Sequence, residues 1–239
     1  MASKNSLDNV SDSLTNTIKD AELEKISIDV AEALLDSELS EGLLKNIPIL
    51  GTLFSLFKIS NNIKDKLFVK KLIHFLENIK DIDKTQRKKI INKIDSSNKY
   101  KIKVGEKLLY ILDKAEDYEK TSIIGIFFKA FLQEKINYAQ FLKICQIIDR
   151  VTKDEINSFL KGNYFNEDFD LPFPISIEKV SSYVNVGLFE IAPFKIKLKK
   201  ESGRAWGIDE SVGYELKDTA IKAQITQIGI VIFKILNRN

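Results

Sequence analysis

Two side chains in this sequence could serve as a nucleophile or a proton carrier near neutral pH: His74, the sole histidine, and Cys145, the sole cysteine. Together they would form a thiolate–imidazole couple of the kind that attacks carbonyl carbon. Their surroundings argue otherwise. "KDKLFVKKLIHFLENI" (64–79) sets His74 among Phe68, Leu72, Phe75, Leu76 and Ile79, so it reads as a structural histidine. Cys145 is flanked by Ile144 and Ile147 on an apolar helical stretch, which predicts an inert, buried thiol. One histidine and one cysteine also fall short of a structural zinc set. Glu167, Asp168 and Asp170 would need another carboxylate or an Asn from elsewhere to hold a metal, and read instead as a solvated linker. The chain has no Gly-rich phosphate loop, HExxH or GxSxG. The expectation is a non-enzyme without metal or cofactor.

Binding chemistry is better represented. "KTQRKKIINK" (84–93) and "KIKLKK" (195–200) are the two basic segments. Lysines on a helix face are ordinarily just solvated, which is the reading for the first. The second belongs to a strand pattern, and Lys195, Lys197, Lys199 and Lys200 could lie along a phosphate backbone or a partner. Arg204 and Trp206 follow in the loop "ESGRAWGIDESVG", and an exposed Trp beside Arg suits an interface anchor. The same Trp could fold back over the strands. The helix that would read bases, "SIEKVSSYVNV" (176–186), offers Glu178, Lys179 and Asn185 but no arginine, so protein contact is the favoured use. Bulk charge agrees. Lys and Arg total 37 against 34 acids, a net charge of +3, and only Arg87, Arg150, Arg204 and Arg238 carry guanidinium groups. That balance implies neither nucleic acid nor anionic lipid by itself.

A third candidate is apolar. "IPILGTLFSLFKI" (47–59) holds Ile47, Leu50, Leu53, Phe54 and Phe57 with almost no charge. Its nearly uncharged part, 47–57, has about half the ~20 residues that a spanning helix needs. Thr52, Ser55 and Lys58 are too few to give the polar face of an interfacial helix. Burial in the protein core is therefore expected, with membrane contact through 43–59 as the alternative.

The elements that must position these groups follow from periodicity. Residues 1–20, rich in Ser, Asn, Asp and Thr, read as a mobile tail and lack the features of a signal peptide. With one cysteine, a reducing cytoplasm is the expected compartment. Leu23, Ile26, Val30, Ala33 and Leu34 then recur at helical spacing, and Gly42, Pro48 and Gly51 place a bend before the apolar stretch. From 49 to 171 no proline occurs. Helices are expected at 64–79, 83–94, 99–115, 118–134, from 137 onward, and in a short piece ending at Leu160. Asp83 with Gln86, Asn137 with Gln140, and Thr152 with Glu155 fit capping boxes. After Gly162 the pattern changes: a linker with two prolines, a short helix ended near Gly187, an alternating strand through Phe194, Ile196 and Leu198, a returning strand, and a closing helix from Thr226. The fold class is mostly α. A multi-helix bundle over 21–162 is followed by a small α+β winged-helix-like module over 163–239.

Within that module, "GLFEI", the two-stranded wing and "ITQIGIVIFKIL" resemble the "GL…LTxxG" ending of many bacterial winged-helix modules. In that pattern the Thr caps the last helix and the Gly lets it pack close to the wing. Thr226 and Gly229 match, while Ile225 stands where Leu is usual. The whole layout looks like phage-defence proteins of the abortive-infection alpha type. The resemblance implies a role in antiviral defence rather than any identified catalytic group, and a protein partner or self-association is the expected mode of action. DNA binding through a basic wing, and membrane disturbance by an exposed 43–59, are the alternatives from other classes.

Overall fold

A computed structural model describes residues 4–27, 47–57, 63–166, 171–193, 197–202, 212–217 and 221–238. The chain divides into two compact units, Met1–Lys153 and Asp154–Asn239. The division falls before the short helix expected to end the bundle at Leu160, because that helix packs into the second unit's aromatic core.

The first unit is helical: α1 (Lys4–Asp20), α2 (Pro48–Phe57), α3 (Ile63–Glu77), α4 (Lys84–Asp95), α5 (Val104–Lys114), α6 (Tyr118–Leu132) and α7 (Tyr138–Arg150). Its centre is aromatic and aliphatic. Phe75 of α3, Phe128 of α6 and Phe141 of α7 meet at ring-centroid distances of 5.2–5.3 Å around fully buried leucines and isoleucines. Helix α3 lies closest to α6. A Cβ at Gly125 would come within 2.9 Å of the Phe75 carbonyl oxygen, so only glycine permits this approach without movement.

The caps are specific. Asn137 accepts from the Gln140 amide while the Gln140 side chain accepts from the Asn137 amide, a reciprocal box as expected. Asp83 accepts from the Gln86 amide, but the Gln86 side chain donates instead to the Leu132 carbonyl on α6. Helix α5 starts at Val104, five residues after the expected Lys99, where the Asp95 carboxylate accepts from the Val104 amide. Its other end is closed by Lys71 of α3, whose ammonium donates to the Asp113 and Ala115 carbonyls.

The expected mobile tail is instead α1. Val10, Leu14 and Ile18 line its buried face together with Ser11, Thr15 and Thr17. Its small hydroxyl residues, whose polarity suggested disorder, allow close packing. At Gly105 of α5 a Cβ would lie 2.0 Å from Thr15 Oγ1, and Thr15 satisfies its own hydroxyl by donating to the Ser11 carbonyl at 2.9 Å. Leu23 and Ile26 of the following segment are also buried. Val30, Ala33 and Leu34 lie outside the described residues.

The second unit contains α8 (Lys153–Leu160), a minimal pair β1 (Phe165–Asn166) and β2 (Leu171–Pro172), then β3 (Ile175–Ser176), α9 (Ser181–Val186), β4 (Phe189–Ile191), β5 (Lys197–Ser202), β6 (Val212–Lys217), β7 (Lys222–Ile225) and α10 (Gln227–Leu236). Strands β3, β7 and β4 form an antiparallel sheet in that spatial order, and β5 pairs with β6 as a separate hairpin. Phe159 of α8 packs against Tyr164, Tyr183, Phe189 and Phe233, with centroids 5.3–6.3 Å apart. Burial in this cluster pushes the Tyr164 hydroxyl up to about 12.

Candidate interaction surfaces

The apolar segment comes first because it divides the readings most sharply. Ile47, Ile49, Leu50 and Leu53 are buried in the first unit, and Leu53 is only 1% exposed. Helix α2 turns Pro48 and Ser55 to solvent, while Thr52 is half-buried and hydroxyl-bonded to Ser13 of α1. The Thr17 hydroxyl of α1 accepts from the Ile49 amide at 2.9 Å, so α1 caps the first turn of α2 from outside. The side chains of Phe54 and Phe57 lie outside the described residues. Among described residues no helix is long and apolar enough to cross a membrane.

The basic segment 84–93 proves to be a clamp on α1. Arg87, read as one cation of a solvated patch, is buried and donates to the Ile82, Ile18 and Ala21 carbonyls at 3.0, 2.7 and 2.9 Å. These include the unsatisfied carbonyls at the end of α1. Burial depresses the guanidinium's proton affinity, and Glu22, Asp83, Asp20 and Glu24 act against that effect. Beside it, Lys88 pairs with Asp20 at 2.9 Å and Lys84 with Glu22 at 3.8 Å. The segment's charge is largely spent inside the molecule.

The second basic segment is different. Lys197, Lys199 and Lys200 lie on β5, where register sets Lys197 opposite Lys217, Lys199 opposite Glu215 and Lys200 opposite Tyr214. Lys195, Arg204 and Trp206 fall outside the described residues. The two short motifs noted in the sequence meet at the end of the β4–β7 pair opposite the one from which this hairpin is inserted. Gly187 ends α9 in the left-handed region at φ +88°. Thr226 Oγ1 accepts from the Gly229 amide and can donate to the Gly187 and Leu188 carbonyls at 2.9 and 3.1 Å. A Cβ at Gly229 would stand 2.4 Å from the Leu188 oxygen. The expected cap is present, and the close approach that Gly229 permits is to the Leu188 carbonyl leading into β4. The face that a base reader would use carries no arginine or glutamine: Glu178, Lys179, Ser181, Ser182 and Asn185 are exposed there.

Both reactive side chains are buried. The His74 ring is buried against Tyr118, with centroids 4.7 Å apart, and the Lys70 ammonium stands 4.3 Å over the other ring. Burial pushes the Cys145 thiol well above its ordinary value, which suppresses the thiolate. Glu167, Asp168 and Asp170 lie outside the described residues, and among described residues no group of three or more His, Cys, Asp or Glu could hold a metal.

The sequence reading passed over Lys120. Its side chain is only 7% exposed and pairs at 3.1 Å with Glu116, which is 72% exposed. A cavity of about 230 Å³ opens beside it between α5, α6 and α7. The signal was present: Lys120, Ile124, Phe127, Phe128 and Phe131 follow one apolar helical stripe, with a cation at its first position.

Comparison with family models, with curated proteins and with solved structures found no match to this chain.

Proposed function

We propose that the protein is a non-enzymatic interaction protein of bacterial antiviral defence, with a helical association unit and a winged-helix-like docking module. One observation carries the reading of the module. The sheet order β3-β7-β4, with the β5–β6 hairpin inserted between β4 and β7, is that of a small sheet bearing a wing. The Thr226–Gly229 lock ties the start of β4 to the end of β7 and so fixes the strand pair into which the hairpin is inserted. The "GL…LTxxG" resemblance supports the winged-helix-like module, and the likeness of the whole layout to phage-defence proteins of the abortive-infection alpha type supports the defence role. The scarcity of arginine and amide donors on α9 supports a protein as the wing's target.

The experiment is expression in a bacterial host challenged with phage, comparing the full chain with Trp206→Ala and with Lys197→Glu/Lys199→Glu. Protection should be present with the full chain. It should fall with either variant while helical content and melting temperature stay unchanged, and a partner captured by the full chain should be lost with it. Full protection by both variants would overturn docking through the wing.

DNA binding is the second reading, favoured by the lysines of β5. It requires affinity for duplex DNA that falls steeply with salt and is abolished by the same double substitution. Absence of binding at low salt removes it. Membrane disturbance would need 43–59 to leave the core, and vesicle sedimentation that is unaltered by Leu53→Asp removes that reading.

A further inference from the structure

From the cavity beside Lys120 we infer that the helical unit binds a small monocarboxylate with a compact apolar body. Three features meet there. Part of the wall is apolar, with Ile124 from α6 and Leu142 and Ile148 from α7, beside the polar Gln146 and Asp149. Lys120, withdrawn from solvent, also lines the space, and its only ion-pair partner among described residues is the largely exposed Glu116. Lys107 and Lys114 line the same space; Lys114 is held by Asp149, whereas Lys107 has no ion pair among described residues.

A buried ammonium costs free energy unless it is paired and hydrogen-bonded, and it carries three donors. Glu116 reaches it from solvent, so side-chain entropy and hydration pull that carboxylate away. A carboxylate delivered from within the cavity would meet Lys120 out of water, where charge-assisted hydrogen bonds are stronger. The apolar stretch of wall would accept its hydrocarbon part. Size selects the class. A sealed apolar space of about 150 Å³ accommodates benzene, so about 230 Å³ takes a ring or a short chain with its acid group. Lys107, which lines the same space, adds to the attraction for an anion.

The test is calorimetric titration of the full chain with sodium 3-phenylpropionate and with sodium hexanoate, alongside acetate and 3-phenylpropan-1-ol. At least one of the two acids should bind with Kd of about 1 mM or tighter. Acetate, lacking the body, and the alcohol, lacking the charge, should each bind about tenfold more weakly or worse. Lys120→Met should weaken the acid about tenfold while leaving the alcohol unchanged, and Leu142→Trp, which fills the space, should abolish both. The inference fails if neither acid binds below about 10 mM, or if acid and alcohol bind alike. It fails equally if Lys120→Met binds the acid as the native chain does. Should Lys120→Met not fold, the acid–alcohol comparison on the native chain decides.

Discussion

Helices α1 and α2 stand at opposite ends of the composition scale and share one fate. "KNSLDNVSDSLTNTIKD" is polar enough to suggest a tail, and "PILGTLFSLF" is oily enough to suggest a bilayer. Both bury one face in the same unit, and they touch each other through Ser13–Thr52 and through Thr17 and the Ile49 amide. Burial is decided by the face a helix turns inward, not by its average. In α1 the inward stripe of Val10, Leu14 and Ile18 is continued by hydroxyl groups that satisfy their own hydrogen bonds. In α2 the outward stripe is Pro48 and Ser55, with Gly51 and Thr52 at its edge. A polar helix can therefore be core, and an oily one needs no lipid.

The largest way to break this pairing is to charge the oily member. Leu53→Asp sets a carboxylate where the leucine is enclosed, and should cost about 4 kcal/mol or more of unfolding free energy. Urea denaturation followed by circular dichroism measures it. If α2 were instead held for lipid, the substitution would leave the denaturation midpoint in place.

Next in size is Arg87→Met, which strikes the polar member. It leaves the Ile18, Ala21 and Ile82 carbonyls without their common donor, and about 3 kcal/mol should be lost. Amide exchange should rise first along α1, which tells detachment of that helix from general weakening. A smaller and more pointed effect is expected from Thr17→Val. The shape is nearly kept, but the Ile49 amide loses its acceptor, so about 1–2 kcal/mol should disappear with faster exchange at Ile49 itself.

What could be read in advance was whatever is written within a few residues. Asn137 with Gln140, the helix from Tyr138 to Arg150, and the Thr226–Gly229 cap are local devices, and each has the expected form. The contacts of α1 are not local. Arg87 and the Ile18 carbonyl are far apart in the chain, and nothing near either one announces the bond. Gln86 shows the same limit. Its spacing from Asp83 fits a reciprocal box, yet the carbonyl of Leu132 captures the side chain. The stripe that Lys120 begins can be read locally, but the cavity beside it cannot: a lysine at a helix's first turn ordinarily reaches water, and here α5 and α7 enclose it.

The smallest effect sharpens the comparison by separating Arg87 from the lysine beside it. Lys88 and Asp20 are both substantially exposed, so Lys88→Ala should remove no more than about 0.5 kcal/mol at low salt, and less as salt is raised. Its signature is in acid rather than in magnitude. The hydrogen bond from Lys88 holds the Asp20 carboxyl below its ordinary value near 3.8. The folded protein therefore takes up that proton less readily than the unfolded chain. The pair's contribution is complete above pH 3.8 and is lost as pH falls through the lowered folded value. Removing Lys88 should flatten that part of the acid limb while leaving the neutral plateau almost unmoved, whereas Arg87→Met lowers the plateau itself. Equal losses from the two substitutions at neutral pH would mean that α1 is held by surface charge and not by the buried guanidinium.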